Sequence, residues 1–144
     1  MKTHLEFVSK AFPPAPGEDK VINPGRFGKR LAEFLRQQLP IYGFAVKSLG
    51  PEDWGWRVEL EHAAFPLWIG CGNYEEFDHG FLCFIEPSKP VIRKLFGKVD
   101  TTATVEKLSD ALEAVLRKSG QVSQLRWWAE GEARPAKGAP KPAS

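Results

Sequence analysis

Residues 51–83, PEDWGWRVELEHAAFPLWIGCGNYEEFDHGFLC, decide how the chain is read, because they hold three of its five tryptophans and both of its cysteines. Trp56, Val58 and Leu60 alternate with Arg57, Glu59 and Glu61, the period-2 pattern of a strand with one buried and one wet face. His62-Ala63-Ala64-Phe65-Pro66 interrupts the alternation. Leu67-Trp68-Ile69-Gly70-Cys71 resumes an apolar extended run, which stops at the turn-type pair Gly72-Asn73. From Gly80 to Glu86 the run GFLCFIE is apolar on both faces, as a central strand would be. Short connections between the three runs imply an antiparallel meander.

Working outward, Leu5 and Phe7 share one side of a short extended run over residues 4–10, and FPPAPGED after it reads as a surface loop of polyproline character. Asn23-Pro24 carries a helix start signal, with Asn at the N-cap and Pro at the first helical position. Phe27, Leu31, Phe34, Leu35 and Leu39 then form an apolar stripe opposite Arg26, Lys29, Arg30 and Arg36. Gly25 and Gly28 near that start allow either close packing on the sheet or, with Arg26, capture of an anion by open helix amides. Pro40 and Gly43 end the helix, and residues 45–49 form a strand before Gly50-Pro51-Glu52-Asp53 turns into Trp54-Gly55-Trp56. Gly55 between two indoles leaves bare backbone for a ring or a ligand.

Downstream, Pro87 and Pro90 bracket a turn, and residues 91–98 read as a short helix or more loop, with four basic residues in the ten from Lys89 to Lys98. Asp100-Thr101-Thr102 offers N-caps to a second helix striped by Val105, Leu108, Leu112, Val115 and Leu116 and stopped by Gly120. Residues 122–128 look like a last strand. The expected fold is α+β: a two-layer sandwich in the order β-α-β-β-β-β-α with a possible final strand, an antiparallel sheet of about five strands carrying two helices on one face. Residues 1–128 make a single domain, and the Ala/Pro/Lys-rich segment 129–144 reads as a disordered tail.

Asn23-Pro24-Gly25-Arg26-Phe27-Gly28, the string PEDWGW at 51–56 and Ile69-Gly70-Cys71-Gly72-Asn73 together resemble a small family of bacterial proteins whose activity is uncharacterised. The resemblance covers residues 20–128. It implies a complete stand-alone protein and carries no chemistry with it.

At 144 residues the chain can bury a core without metals or disulfides. No apolar run approaches the roughly 20 residues that cross a bilayer, and MKTHLEFVSK lacks a signal-peptide apolar region. A cytoplasmic protein with reduced cysteines and no membrane is expected. Charge is unevenly placed: residues 51–86 carry eight acids against Arg57 alone, a net of −7, leaving +9 for the rest of a chain whose formal net charge is +2.

Several chemistries compete for these residues. Cys71 beside Gly70 and Gly72, with His79 eight residues on, could make a cysteine-dependent hydrolase or line a small-ligand site, although acidic neighbours would raise the thiol pKa. His4, His62, His79 and the two cysteines match no zinc spacing, Glu75, Glu76 and Asp78 form no regular calcium loop, and no cofactor motif is present. Nucleic-acid binding through the basic first helix and tail, with Trp127-Trp128 stacking on bases, is opposed by the acidic meander. Five Trp and ten Phe exceed what a small core needs. The leading expectation is therefore a non-catalytic protein-interaction or adaptor module, with Trp54, Trp56, Trp68, Arg26, Glu52 and Asp53 as candidate binding residues. Exposed indoles rimmed by carboxylates suit a basic partner protein or a second copy of the chain.

Overall fold

A computed structural model describes residues 1–132. Strands β1 (Lys2–Val8), β2 (Val46–Glu52), β3 (Gly55–Leu60), β4 (Leu67–Asn73), β5 (Gly80–Glu86) and β8 (Ser123–Ala129) form one antiparallel sheet in the order β2-β3-β4-β5-β1-β8. A separate two-stranded hairpin pairs β6 (Val91–Lys94) with β7 (Gly97–Asp100). Helices α1 (Lys29–Gln38) and α2 (Thr102–Ser119) lie on one face, α1 over β3 and β4 and α2 over β1. The α+β two-layer arrangement is as the sequence leads one to expect, with a sixth strand completing the sheet.

Alternation sorts each central strand cleanly. Leu5 and Phe7, Trp56, Val58 and Leu60, Leu67, Ile69 and Cys71, and Phe81, Cys83 and Ile85 point toward the helices and are buried. Register confirms the layer: Leu5 pairs with Cys83, Phe7 with Phe81, and Cys71 with both Cys83 and Trp56 on its two sides. Leu31, Leu35 and Leu39 cover this layer from the α1 side, and Val105, Leu108, Leu112, Val115 and Leu116 from α2. Gly120, at φ 69°, ends α2 in the left-handed conformation that stops helices.

Four local expectations need correction. The first helix does not begin at Asn23-Pro24: Pro24 and Gly25 (φ 82°) form a turn closed by the Arg26 amide donating to the Asn23 carbonyl at 3.1 Å, and α1 begins at Lys29. A glycine after the proline makes that turn cheaper than a helical entry. Its helix amides are capped from elsewhere. The Gly28 and Lys29 amides each donate to Glu18 Oε2 at 2.8 Å, so the anion the amides hold is internal. Residues 91–98 are neither helix nor loop but the β6–β7 hairpin. Strand β2 runs on through Gly50-Pro51 to Glu52, which an edge strand permits. At the other end, β8 reaches Ala129 and a turn follows to Glu132, so the expected disordered tail loses its first four positions; residues 133–144 lie outside the described residues.

Candidate functional site on the open sheet face

The helices cover one face of the sheet, and the other face carries the second set of alternating side chains. Trp68 of β4, Phe84 of β5, His4 of β1 and Trp128 of β8 follow one another across neighbouring strands, with Trp54 from the β2–β3 turn beside them. Their ring centroids form a continuous row: Trp54 to Trp68 6.3 Å, Trp68 to Phe84 5.6 Å, Phe84 to His4 5.8 Å and His4 to Trp128 4.4 Å. Arg57 lies over the Trp68 ring at 4.1 Å while its guanidinium also pairs with Glu59. Gly70 floors the row, since a Cβ there would fall 2.3 Å from the Phe84 ring. Bare backbone does receive a ring, but at Gly70 and not at Gly55. A Cβ on Gly55 would meet the Cys71 carbonyl oxygen at 2.2 Å, so that space is taken by main chain.

At one end of the row a cleft of about 220 Å³ is lined by Trp54, Phe84, Leu82, Gly72, Tyr74 and Arg26. Asn73 sets this wall. Its backbone amide donates to the Phe27 carbonyl at 2.8 Å, its side-chain amide donates to the Gly25 carbonyl at 2.9 Å, and its Oδ1 accepts from the Phe27 amide at 3.0 Å. These three bonds hold the Asn23–Gly28 loop against β4 and bring Arg26 beside Trp54. At the other end stand Glu86 and Glu130; burial first, then the nearby Glu130 charge, pushes the Glu86 carboxyl above its ordinary value. His4, sandwiched between Phe84 and Trp128, has its pKa lowered by burial, with Glu130 opposing the shift, so its ring is neutral at pH 7.

Comparison with models of known families, with curated proteins and with solved structures finds no match.

The expected binding residues are thus divided. Trp54, Trp68 and Arg26 come together on the open face. Trp56 does not: it is 7% exposed on the helix side, where its indole N–H donates to Glu18 Oε2 at 2.7 Å and Lys29 sits over its ring. Glu52 and Asp53 sit at the β2–β3 turn, Asp53 in solvent, and neither lines the cleft. Cys71 is fully buried on the helix face beside Cys83, and burial, reinforced by the hydrogen bond its thiol donates to Cys83, raises its thiol pKa well above the usual range. His79 lies exposed in the β4–β5 loop, so the structure does not bring a Cys–His pair together. Trp127 covers the helix seam, donating to Glu113 Oε1 of α2 at 2.7 Å, whereas Trp128, itself only 8% exposed, turns to the open face and donates to buried Glu6 at 3.1 Å.

Sequence reasoning missed His4, Leu82, Phe84 and Trp128 as members of this face and Glu18 as its indirect support. The signal for Phe84 and Leu82 was available: GFLCFIE is apolar on both faces, although only one face is covered by helices.

Proposed function

We propose that the chain is a non-catalytic interaction module whose open sheet face receives a basic, aromatic-containing segment of a partner protein. The observation that carries this is the row Trp54–Trp68–Phe84–His4–Trp128, five rings in contact, stacked except where Trp68 meets Phe84 edge-on, on a face that neither helix covers. Trp and His present large contact area at little cost in side-chain freedom, which is why such residues concentrate binding energy at interfaces. The Glu86–Glu130 end favours a Lys or Arg of the partner: the Glu130 charge adds to burial in raising the Glu86 pKa, and a cation between the two carboxylates relieves that repulsion. Support for a non-catalytic role comes from Cys71, whose buried, high-pKa thiol is a poor nucleophile.

Selection of random twelve-residue peptides on the native protein tests this. The expected outcome is enrichment of sequences combining Arg or Lys with aromatic residues, binding lost in Trp68→Ala with the thermal transition nearly unchanged. Enrichment of acidic peptides, or binding indifferent to Trp68, contradicts the reading.

A further inference from the structure

A second surface stands at the far end of the molecule and does not depend on the open-face reading. The β6–β7 hairpin turns through Leu95-Phe96, which are 88% and 96% exposed. Isolated exposed apolar residues are ordinary, but two adjacent large ones at the outermost point of a projecting hairpin are not. The hairpin is held in place by its inner side: Ile92 and Val99, paired across it, pack on the core, and Lys94 donates to the Ala64 carbonyl. Its outer side carries Arg93 directly opposite Lys98. Like charges at paired cross-strand positions destabilise a hairpin, and none of the ion pairs among the described residues involves either of them.

Position in the fold adds a direction. Pairing of Leu60 with Leu67 and of Trp68 with Glu86 places the β3–β4 loop, which contacts the hairpin, at one end of the sheet. The turn after Pro51-Glu52-Asp53 and the β4–β5 loop, with Glu75, Glu76 and Asp78, lie at the opposite end, next to the Trp56–Cys71 and Asn73–Phe81 pairs. The turns at one end are thus acidic, while the hairpin at the other, beside Glu61 and Glu86, carries a cationic pair and an apolar tip. Ile41, 71% exposed in the 3-10 turn that follows α1, lies at the hairpin end, because the chain passes from it into the start of β2 opposite Leu60.

We infer that this hairpin docks the protein on an anionic lipid surface, Leu95 and Phe96 entering the interface while Arg93 and Lys98 meet the headgroup phosphates. The order from tip to base, apolar then cationic then polar, matches the order of a bilayer interface read outward from the acyl chains. An anion between Arg93 and Lys98 removes their repulsion. Nucleic acid fits less well, since Leu95 offers no ring to stack on a base and a duplex backbone gives the apolar tip no place to enter. No helix among the described residues is long and apolar enough to cross a membrane, and docking by two side chains requires none.

The test is flotation of the full chain with vesicles of phosphatidylcholine alone and of phosphatidylcholine with about 30% phosphatidylserine, at low and physiological salt. The expected result is binding to the anionic vesicles only, weakened by salt. The Leu95→Ser/Phe96→Ser variant should lose roughly tenfold in affinity and Arg93→Glu/Lys98→Glu should lose binding altogether, both melting as the parent does because the substituted side chains face solvent. No binding to anionic vesicles overturns the inference. So does binding that the tip variant retains, or a shift of duplex DNA by a protein that ignores vesicles.

Discussion

The two faces of the central sheet are built from similar side chains and use them differently. On the helix face Trp56 spends its indole N–H on Glu18, and Cys71 packs against Cys83 and the α1 entry. On the open face Trp54 stacks on Trp68, Trp68 meets Phe84 edge-on and Phe84 stacks on His4, and neither α1 nor α2 lies above them. Strand alternation by itself would put residues two apart on one face; Trp54 and Trp56 lie on opposite faces because Asp53 and Trp54 belong to a turn and Gly55 restarts the strand. One tryptophan in this stretch, Trp56, holds the fold together, while Trp54 and Trp68 are left for contact.

The sharpest way to break the comparison is to truncate one tryptophan from each face. Trp56→Ala removes a buried ring and leaves the Glu18 carboxylate, which also accepts from the Ala15, Gly28 and Lys29 amides, without its indole donor. A loss of about 3–5 kcal/mol is expected, visible in denaturant unfolding as a large drop in the midpoint. Trp54→Ala or Trp68→Ala should cost no more than about 1.5 kcal/mol, the range of a partly exposed aromatic stack. Equal losses on both faces would erase the distinction.

Gly55→Ala probes how tightly the helix face is closed. Its Cβ would lie 2.2 Å from the Cys71 carbonyl oxygen, and that of a Gly28 substitution 2.5 Å from the same atom, so α1, the β2–β3 turn and β4 converge on one peptide group. About 1–3 kcal/mol is expected from the forced backbone shift, measured as the change in melting temperature. The same test at Gly43, where a Cβ would meet nothing within 4 Å, should show only the strain of its left-handed φ of 92°.

Acid should act on the open face first. The His4 pKa is held below its ordinary 6.5 by burial between Phe84 and Trp128. The neutral ring is the one the fold favours, so this contribution is complete above that pH and is lost as pH falls through the folded-state value. The effect should not exceed about 1 kcal/mol because the ring keeps contact with solvent. Melting curves of parent and His4→Phe, compared at pH 7 and pH 5, should converge or cross as pH falls. The smallest effect belongs to Glu86. Its raised pKa means that the charged form is disfavoured in the fold, so stability falls as pH rises through that value, and Glu86→Gln should melt slightly higher than the parent at pH 7. The same variant should weaken capture of basic peptides.

Most of this architecture was legible in the sequence, and the failures have identifiable causes. The 56–60 alternation, the α2 stripe and the Gly120 stop appear as expected because each is a local pattern with a local partner. The α1 start was misplaced because Asn23-Pro24 satisfies two rules at once, helix entry and turn, and only the distant Glu18 decides between them by taking the Gly28 and Lys29 amides. Residues 91–98 carry little alternation, and their hairpin depends on Ile92 and Val99 finding the core. As for the site, Trp54, Trp68 and Arg26 were identifiable from residue type, but the place of Arg26 beside Trp54 rests on the Asn73 bonds to Gly25 and Phe27, across 48 and 46 residues of chain. His4 and Trp128 meet only because β1 and β8 pair.

The central claim, that the open face binds and the helix face does not, is tested most directly by the five indole N–H signals in a nitrogen–proton NMR spectrum during titration with a selected basic peptide. The expected result is that Trp54 and Trp68 shift with a common saturation curve while Trp56, bonded to Glu18 behind the sheet, stays in place. Saturable shifts led by Trp56, or shifts that leave Trp54 and Trp68 unmoved, would contradict it.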